Sequence, residues 1–463
     1  MFKPKITVIL LIFIFDVLLS SRSILAATYY VAANGNNGNP CSLAQPCATI
    51  IKGASLLVAG DMLYIRGGTY NETVEIAKSG TASIPITISG YPGETVVVDG
   101  QDTIPASDWG TLFRISGNYV VVRDLTVQRS KWIGLELEGQ YDQAINVKSY
   151  ENMETGILVR GNYSIVDGCE IRGNAKRNQR PGGPYGAGGW ASGLSAARHP
   201  QHVTLRNNKS WNNWGEGIST FEAEYTTIEG NIAWDNWSTN YYISDTKYTI
   251  VQRNISYWTS SMTGSMNGGI WLGDETYNPA SSDNKIINNF VKGGDRCFYS
   301  WIGANGGGLV NVLIANNTFV NSNPASESNV KILAGTHRNT IFKNNIMEQD
   351  DSVPAINIEG GTSGITFGYN LWSKTPLGYA SGINDVIGDP KLTKSGPTGP
   401  GLLTPDWFKI SANSPAKDKA DVIAEVSEDF FRNPRGPYPD IGGHEYAGSG
   451  GPPKPPTNLR IIN

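Results

Sequence analysis

Three stretches decide the fold: residues 203–220 (VTLRNNKSWNNWGEGIST), 227–244 (TIEGNIAWDNWSTNYYIS) and 249–261 (TIVQRNISYWTSS). Each reads as a short β-branched run, an asparagine, a second short run, polar turn residues and then a strand. Asn208, Asn231 and Asn254 fall at equal steps of 23 residues, and the pattern resumes at Asn289, Asn317, Asn345 and Asn370 with longer steps where loops intervene. Backwards, 22-residue steps link Leu125, Val147 and Cys169, where the asparagine is missing but the flanking pattern persists. A period in the low twenties is one coil of a solenoid, three short strands and three turns. Strands that short bury no face alone, whereas stacked in register their inward aliphatic side chains make one continuous core. A repeated Asn suits such a bend, because its amide satisfies turn backbone groups and also bonds the Asn above and below. The downstream pairs Gly156-Ile157, Gly217-Ile218 and Gly269-Ile270 repeat with it. The expected fold is all-β, a single-stranded right-handed parallel β-helix of roughly ten or more coils.

The rest of the chain is read around that repeat. Lys3 and Lys5 precede an apolar run, Ile6 to Leu19, and Ala26 and Ala27 follow. This is the layout of a secretory signal peptide over residues 1–27, too short for a comfortable membrane span. The expectation is a secreted, extracellular protein of bacterial type, a monomer with no membrane attachment after cleavage. A formal net charge of −4 argues against a broad nucleic-acid surface. Cys41 and Cys47 bracket a tight loop and suit a local disulfide in an oxidising compartment, whereas Cys169 and Cys297 read as buried apolar residues. The β-helix is expected over 28–446, with an N-terminal cap and first coils at 28–110, central coils at 111–374 and a closing segment at 375–446. Residues 447–463, opening with GSGGPPKPP, read as a linker and the first strand of a fibronectin type III-like module.

Residues 29–50 (YYVAANGNNGNPCSLAQPCATI), Ala59-Gly60-Asp61 with residues 64–70 (YIRGGTY), and residues 85–92 (PITISGYP) resemble the N-terminal coils of pectate-lyase-like β-helix proteins, family-nine polysaccharide lyases above all. Ser414-Pro415-Ala416 and Asp440-Ile441-Gly442-Gly443 with Glu445-Tyr446 resemble the closing segment of secreted bacterial members. The resemblance implies a polysaccharide substrate. It also implies calcium, which family-nine lyases hold with an Asp-Asp-Gly-x-Asp strand beside a groove lysine. At the matching turn this chain has Gly215-Glu216-Gly217-Ile218-Ser219, so Glu216 alone is left as a Ca²⁺ ligand, and Tyr242 stands where the lysine is expected.

Strand alternation places Ile218 inward and Ser219 and Phe221 outward, on a groove that neighbouring coils line with Glu136, Leu158, Ser195, Tyr242, Ser244, Trp271, Tyr299, Trp301 and Lys331. Insertions at residues 174–192 and 256–268 leave the coil just before groove strands and suit walls of a site. Adjacent coils ~4.8 Å apart put Glu216, Tyr242, Arg198, His199, Asp245, Asp274 and Glu275 within reach of one sugar unit as candidate catalytic groups. Trp271, Phe221, Tyr299, Trp301 and Trp190 are candidate sugar platforms. The loop cations Lys176, Arg177 and Arg180 suit a polyanion. Three function classes fit this inventory. A uronan lyase uses a cation to neutralise the uronate carboxylate and a base to take the neighbouring proton. A glycoside hydrolase uses paired carboxyls ~5–5.5 Å or ~6.5–9.5 Å apart. A non-catalytic carbohydrate-binding or adhesion module uses the aromatic groove alone.

Overall fold

The computed structural model describes residues 26–107, 110–179, 191–260, 265–275, 281–303, 307–322 and 327–446. Among these, the strands form three parallel sheets of 13, 11 and 13 strands. The chain visits the sheets in rotation. Thr204–Arg206, Lys209–Trp211 and Glu216–Phe221 make one coil, and Thr227–Glu229, Ile232–Trp234 and Thr239–Ser244 the next. The period-two pattern explains the packing: Leu205, Ile218, Ile228, Ile243 and Val251 point inward and are fully buried in a single core running the length of the solenoid. The right-handed parallel β-helix expected from the repeat is the observed fold.

The asparagine repeat is a hydrogen-bonded column. Asn208 Nδ2 donates to Asn231 Oδ1 at 3.0 Å, and the same bond links Asn231 to Asn254, Asn254 to Asn289, and onward to Asn370. Each Oδ1 also accepts the backbone N–H of the Asn before it, as Asn231 does from Asn208 at 2.9 Å. Cys169 takes the rung where Asn is missing, its N–H donating to Asn208 Oδ1 at 2.9 Å. A second column, Asn152, Asn174, Asn213, Asn236 and Asn240, fixes the turn that leads into the eleven-strand sheet. At a third corner Tyr119, Tyr141, Tyr163, His202, Tyr225 and Tyr248 stack ring on ring at 4.7–4.8 Å. All six have left-handed backbone, φ between 54° and 61°, and the position passes to Asp283, Asn311 and Asn339 on later coils.

Both ends of the described solenoid are covered. The short helix Ile50–Ala54, N-capped by Thr49, buries Ile50 and Ala54 against the first coils. Residues 375–446 fold back so that Leu403, Trp407, Phe408 and Ile441 cover Trp234, Tyr257, Phe290 and Ile346 on one sheet. Cys41 and Cys47 are disulfide-bonded, and Cys169 and Cys297 are free and buried. No helix among the described residues is long and apolar enough to cross a membrane. The expected signal peptide, apart from Ala26 and Ala27, and the linker at 447–463 lie outside the described residues, as do Arg180 and Trp190.

Asn231→Ala removes a fully buried amide and strands the Asn208 and Asn254 groups bonded to it. The expected loss of unfolding free energy is about 2–3 kcal/mol, at the level of an unmade buried hydrogen bond on each side. Chemical denaturation monitored by circular dichroism reads it, and unchanged stability would refute a structural role for the column.

Candidate functional site

Strand register builds the groove. On the outer face of the eleven-strand sheet, Glu136, Leu158, Ser195, Ser219, Tyr242, Trp271, Tyr299 and Lys331 are successive Cα partners. Beside them run Ala197, Phe221, Ser244, Gly273 and Trp301. These are the two rows that alternation predicted, and their central part lines a cavity of about 780 Å³. The insertions leave the coil between the strands Glu170–Arg172 and Ser192–Ala197, and between Ile255–Tyr257 and Gly268–Asp274, at the edge of this cavity.

Glu216 opens the strand Glu216–Phe221 and lines the cavity although it is only 2% exposed. Its Oε2 lies 3.0 Å from Ser192 Oγ, which lies 2.8 Å from Ser219 Oγ, which donates to Ser195 Oγ at 2.9 Å. Once Ser219 spends its hydrogen on Ser195, the Ser192 hydrogen alone serves two contacts, so a proton on Glu216 completes the chain. Electrostatics agree. Burial, with Glu275 nearby adding to it, pushes the Glu216 carboxyl up to about 8.

Tyr242 extends over the next coils and hydrogen-bonds the Glu275 carboxylate. Gly273 makes this possible, since a Cβ there would stand 2.8 Å from the Tyr242 hydroxyl oxygen. Burial and the Glu275 charge hold the phenol well above its usual range, so Tyr242 is a proton donor at neutral pH and a poor base. Beyond it Trp271 meets Tyr299 edge to face at 5.0 Å, and Trp301 lies tilted against Tyr299 at 6.1 Å. Trp271 needs Gly268 beneath it, where a Cβ would come within 2.4 Å of the indole nitrogen. Trp301 is the most exposed of these rings, at 37%.

Two arginines line the cavity among the described residues, Arg198 and Arg296. Arg296 lies over the Tyr299 ring and pairs with Asp295 and Glu327. Arg198 is exposed and forms no salt bridge with the described residues. At the opposite end Glu154, which the sequence reading missed, is pushed up to about 7 by burial although Arg177 lies 2.6 Å away. Its only sequence signal is its place in the turn before a groove strand, where the Asn152-Met153-Glu154-Thr155-Gly156 segment parallels the approach to Glu216. Ser192 and Met266 were missed as well; they come from the ends of the two insertions.

Several expected groups do not converge on this cavity. His199 has φ +66°, which turns its side chain into a separate depression with Gln201, Glu222, Glu224, Asp245 and Lys247. Its nearest acid is Glu222, at 3.6 Å. Asp245 is buried at the corner, accepting from Ser244 Oγ and from the Glu275 N–H, both at 3.0 Å. Asp274 has the wrong strand parity for the groove and accepts the Gly308 N–H at 3.2 Å. Lys176 and Arg177 are tied to Asp102 and Glu154 on earlier coils, with Arg177 over the Trp132 ring, and neither lines the cavity.

Calcium does not fit the donors present. Ca²⁺ takes six to eight oxygens with several carboxylates among them. No group of three or more His, Cys, Asp or Glu side chains among the described residues is arranged to hold a metal. Glu216 offers a carboxyl that keeps its proton beside a serine hydroxyl.

The family described as "Pel9A-like, right handed beta helix region" matches residues 29–250. The protein named pectate lyase PEL9 from Emericella nidulans is 27% identical over 215 residues, 43% of this chain and 51% of that protein. The chain thus spans about half the length of that curated relative. Among solved structures, pectate lyase Pel9A aligns with a TM-score of 0.56 at 18% identity, covering 91% of this chain and 97% of that one. XylC in complex with xylose aligns at 0.58 and 12% identity, covering 90% and 98%. At such identities the structural likeness speaks for the fold. With the stacked coils, the matched segment and these neighbours in agreement, the chain is a right-handed parallel β-helix similar to that of pectate lyase Pel9A.

Proposed function

We propose that this chain works outside the cell, as a monomer, on a uronic-acid-containing polysaccharide, cleaving it by β-elimination without calcium at Glu216. The relative named a pectate lyase supports the substrate class. The observation that carries the reaction is the convergence of Glu216, Tyr242 and Glu275 in one cavity that Arg198 also lines.

In this mechanism Arg198 and the protonated Glu216 meet the uronate carboxylate. The guanidinium offsets its charge, and the neutral acid donates a hydrogen bond that strengthens as charge moves onto the carboxylate. The Glu275 carboxylate takes the proton from the adjacent carbon. The bond from the next carbon to the glycosidic oxygen breaks, a carbon–carbon double bond forms, and the leaving oxygen takes the Tyr242 proton. Tyr242 then recovers a proton from Glu275, to which it is already hydrogen-bonded, so the pair returns to its resting state. The raised Tyr242 phenol suits this donor role.

One observation favours a second reading. A buried carboxyl that keeps its proton beside a second carboxylate is also the arrangement of a glycoside hydrolase, with Glu216 as acid. Product chemistry separates the two: elimination yields unsaturated ends that absorb in the ultraviolet, whereas new reducing ends without absorbance would establish hydrolysis in its place.

Tyr242→Phe is expected to lower kcat by about 10²–10⁴, the usual range for a lost proton donor, with the melting temperature unchanged. Full activity would remove Tyr242 from the mechanism. Glu216 is protonated below about 8 and ionised above it, so activity should fall as pH rises through about 8. Glu216→Gln keeps a hydrogen-bond donor. It should retain part of an elimination activity and lose the alkaline decline, whereas it should abolish hydrolysis. Because the folded-state value lies above the unfolded one, wild type binds more protons folded than unfolded between about pH 4.5 and 8 and loses stability as pH rises across that window. The melting temperature of Glu216→Gln should therefore gain on wild type from pH 5 to pH 9. A constant difference would mean that Glu216 is not held protonated.

A further inference from the structure

We propose that Ser192, Ser219 and Ser195 form a relay whose direction follows the Glu216 proton, so that a glycan carboxylate drawing that proton to itself turns Ser195 into the acceptor for a hydroxyl of the same glycan. Ser195 is then a specificity-determining residue, and Ser192 and Ser219 position its hydrogen. The inference rests on the reading of Glu216 as the acid that meets a uronate, and adds how that meeting is felt further along the groove.

Two adjacent strands supply the four groups. Glu216 and Ser219 stand on Glu216–Phe221, Ser192 and Ser195 on Ser192–Ala197, and register sets Glu216 against Ser192 and Ser219 against Ser195. The chain therefore zigzags between the strands, 3.0 Å from Glu216 Oε2 to Ser192 Oγ, 2.8 Å on to Ser219 Oγ and 2.9 Å to Ser195 Oγ. All four residues are buried, yet each lines the cavity.

One hydrogen per hydroxyl leaves two ways to fill these contacts. With the carboxyl proton on Oε2, that proton goes to Ser192, the Ser192 hydrogen to Ser219 and the Ser219 hydrogen to Ser195. This is the direction found, since Ser219 donates to Ser195. No acceptor among the described residues takes the Ser195 hydrogen, which is left for the cavity. With the proton gone from Oε2, the Ser192 hydrogen turns to the carboxyl, the Ser219 hydrogen to Ser192 and the Ser195 hydrogen to Ser219. Ser195 then shows the cavity lone pairs alone. A mixed arrangement sets two lone pairs against each other in a buried contact, at the cost of an unmade hydrogen bond. The three hydroxyls therefore turn together.

Two events take the proton from Oε2. Ionisation is one: burial, with Glu275 adding to it, keeps the carboxyl neutral below about 8. Tyr242 faces Glu216 from the next coil, Glu154 lines the same cavity on an earlier one, and Arg198 and Arg296 are the cations there among the described residues. A uronate carboxylate is the other event, because a proton given to the ligand leaves Oε2 in need of the Ser192 hydrogen. Recognition of the carboxylate thus fixes the polarity at Ser195, where the bound glycan must offer an O–H. An ether or ester oxygen in that place meets lone pairs. The chemistry selects uronate chains whose hydroxyl at this point is free and rejects those that carry an O-acetyl or O-methyl group there.

Neutron diffraction from deuterium-exchanged crystals reads the relay directly. In the free protein at pH 6 the Ser195 deuterium should point into the cavity. At pH 10, past the Glu216 titration, it should point at Ser219, with the Ser219 and Ser192 deuteriums reversed as well. Identical positions at both pH values overturn the proposal. In Ser219→Ala, which cuts the relay, the Ser195 deuterium should take one position at both. Tyr242→Phe crystals soaked at pH 6 with trigalacturonate should show the reversed chain and a sugar hydroxyl on Ser195, whereas bound sugar over an unreversed chain counts against the relay. Absence of bound sugar would defeat the uronan reading and with it the role given to Ser195, a failure distinct from a chain that does not turn. In solution, Ser195→Ala should weaken trigalacturonate binding to Tyr242→Phe about tenfold, as for one lost hydrogen bond, and Ser195→Thr should restore it. Unchanged affinity in Ser195→Ala would remove Ser195 from the site.

Discussion

Everything in this molecule depends on hydrogen bonding along the solenoid axis. Each strand holds three to seven residues at most places in the groove region and has no stability of its own; it exists because the coil above and the coil below supply its partners. The asparagine columns extend that logic to the corners, where backbone groups would otherwise be buried without partners. One amide does three things at once: it accepts the backbone N–H and the side chain of one neighbouring rung, and donates to the next. The chemistry at the groove inherits this rigidity, since Glu216 and Tyr242 stand on adjacent strands whose spacing the ladders enforce.

The groove uses burial more than charge. Glu216 is kept neutral by its surroundings, and the three serines beside it offer a hydroxyl chain in place of the compact acidic cluster that calcium would need. Tyr242 and Glu275 form the second half of the site through one bond made possible by a glycine. A protonated acid on one side and a phenol–carboxylate pair on the other is a proton-handling arrangement, and the aromatic rings further along provide the surface on which a sugar chain would lie.

The fold was legible because a solenoid writes its geometry directly into spacing: residues 22 to 24 apart become vertical neighbours where no loop intervenes, and strand alternation then gives the groove rows. The site was only half legible. Alternation holds within a strand, and Ser219, Phe221, Tyr242 and Trp271 followed it. It does not extend past the strand end, where His199 (φ +66°) and Asp245 (φ +52°) lie in a separate depression while Arg198, also left-handed at φ +71°, still lines the cavity. Asp274 failed by parity, as one residue decides which side of a strand a carboxyl takes. Glu154 and Ser192 carried no motif; Ser192 lies one coil below Glu216, and Glu154 one coil below Ser192. Lys176 and Arg177 looked like free loop cations because their partners, Asp102 and Glu154, are 74 and 23 residues away in sequence.

The stacked corner of Tyr119 through Tyr248 has a consequence for how such a chain changes over generations. The column runs as rings for six coils and then continues as Asp283, Asn311 and Asn339. A switch of chemistry at a single rung is thus tolerated, because each rung answers only to the two beside it. Duplication or loss of a whole coil leaves every column in step, whereas insertion of one residue within a strand shears three columns together. Inheritance in this architecture is therefore quantised: its natural unit is neither the residue nor the domain but the turn of the spiral, and a groove can be refurnished one turn at a time.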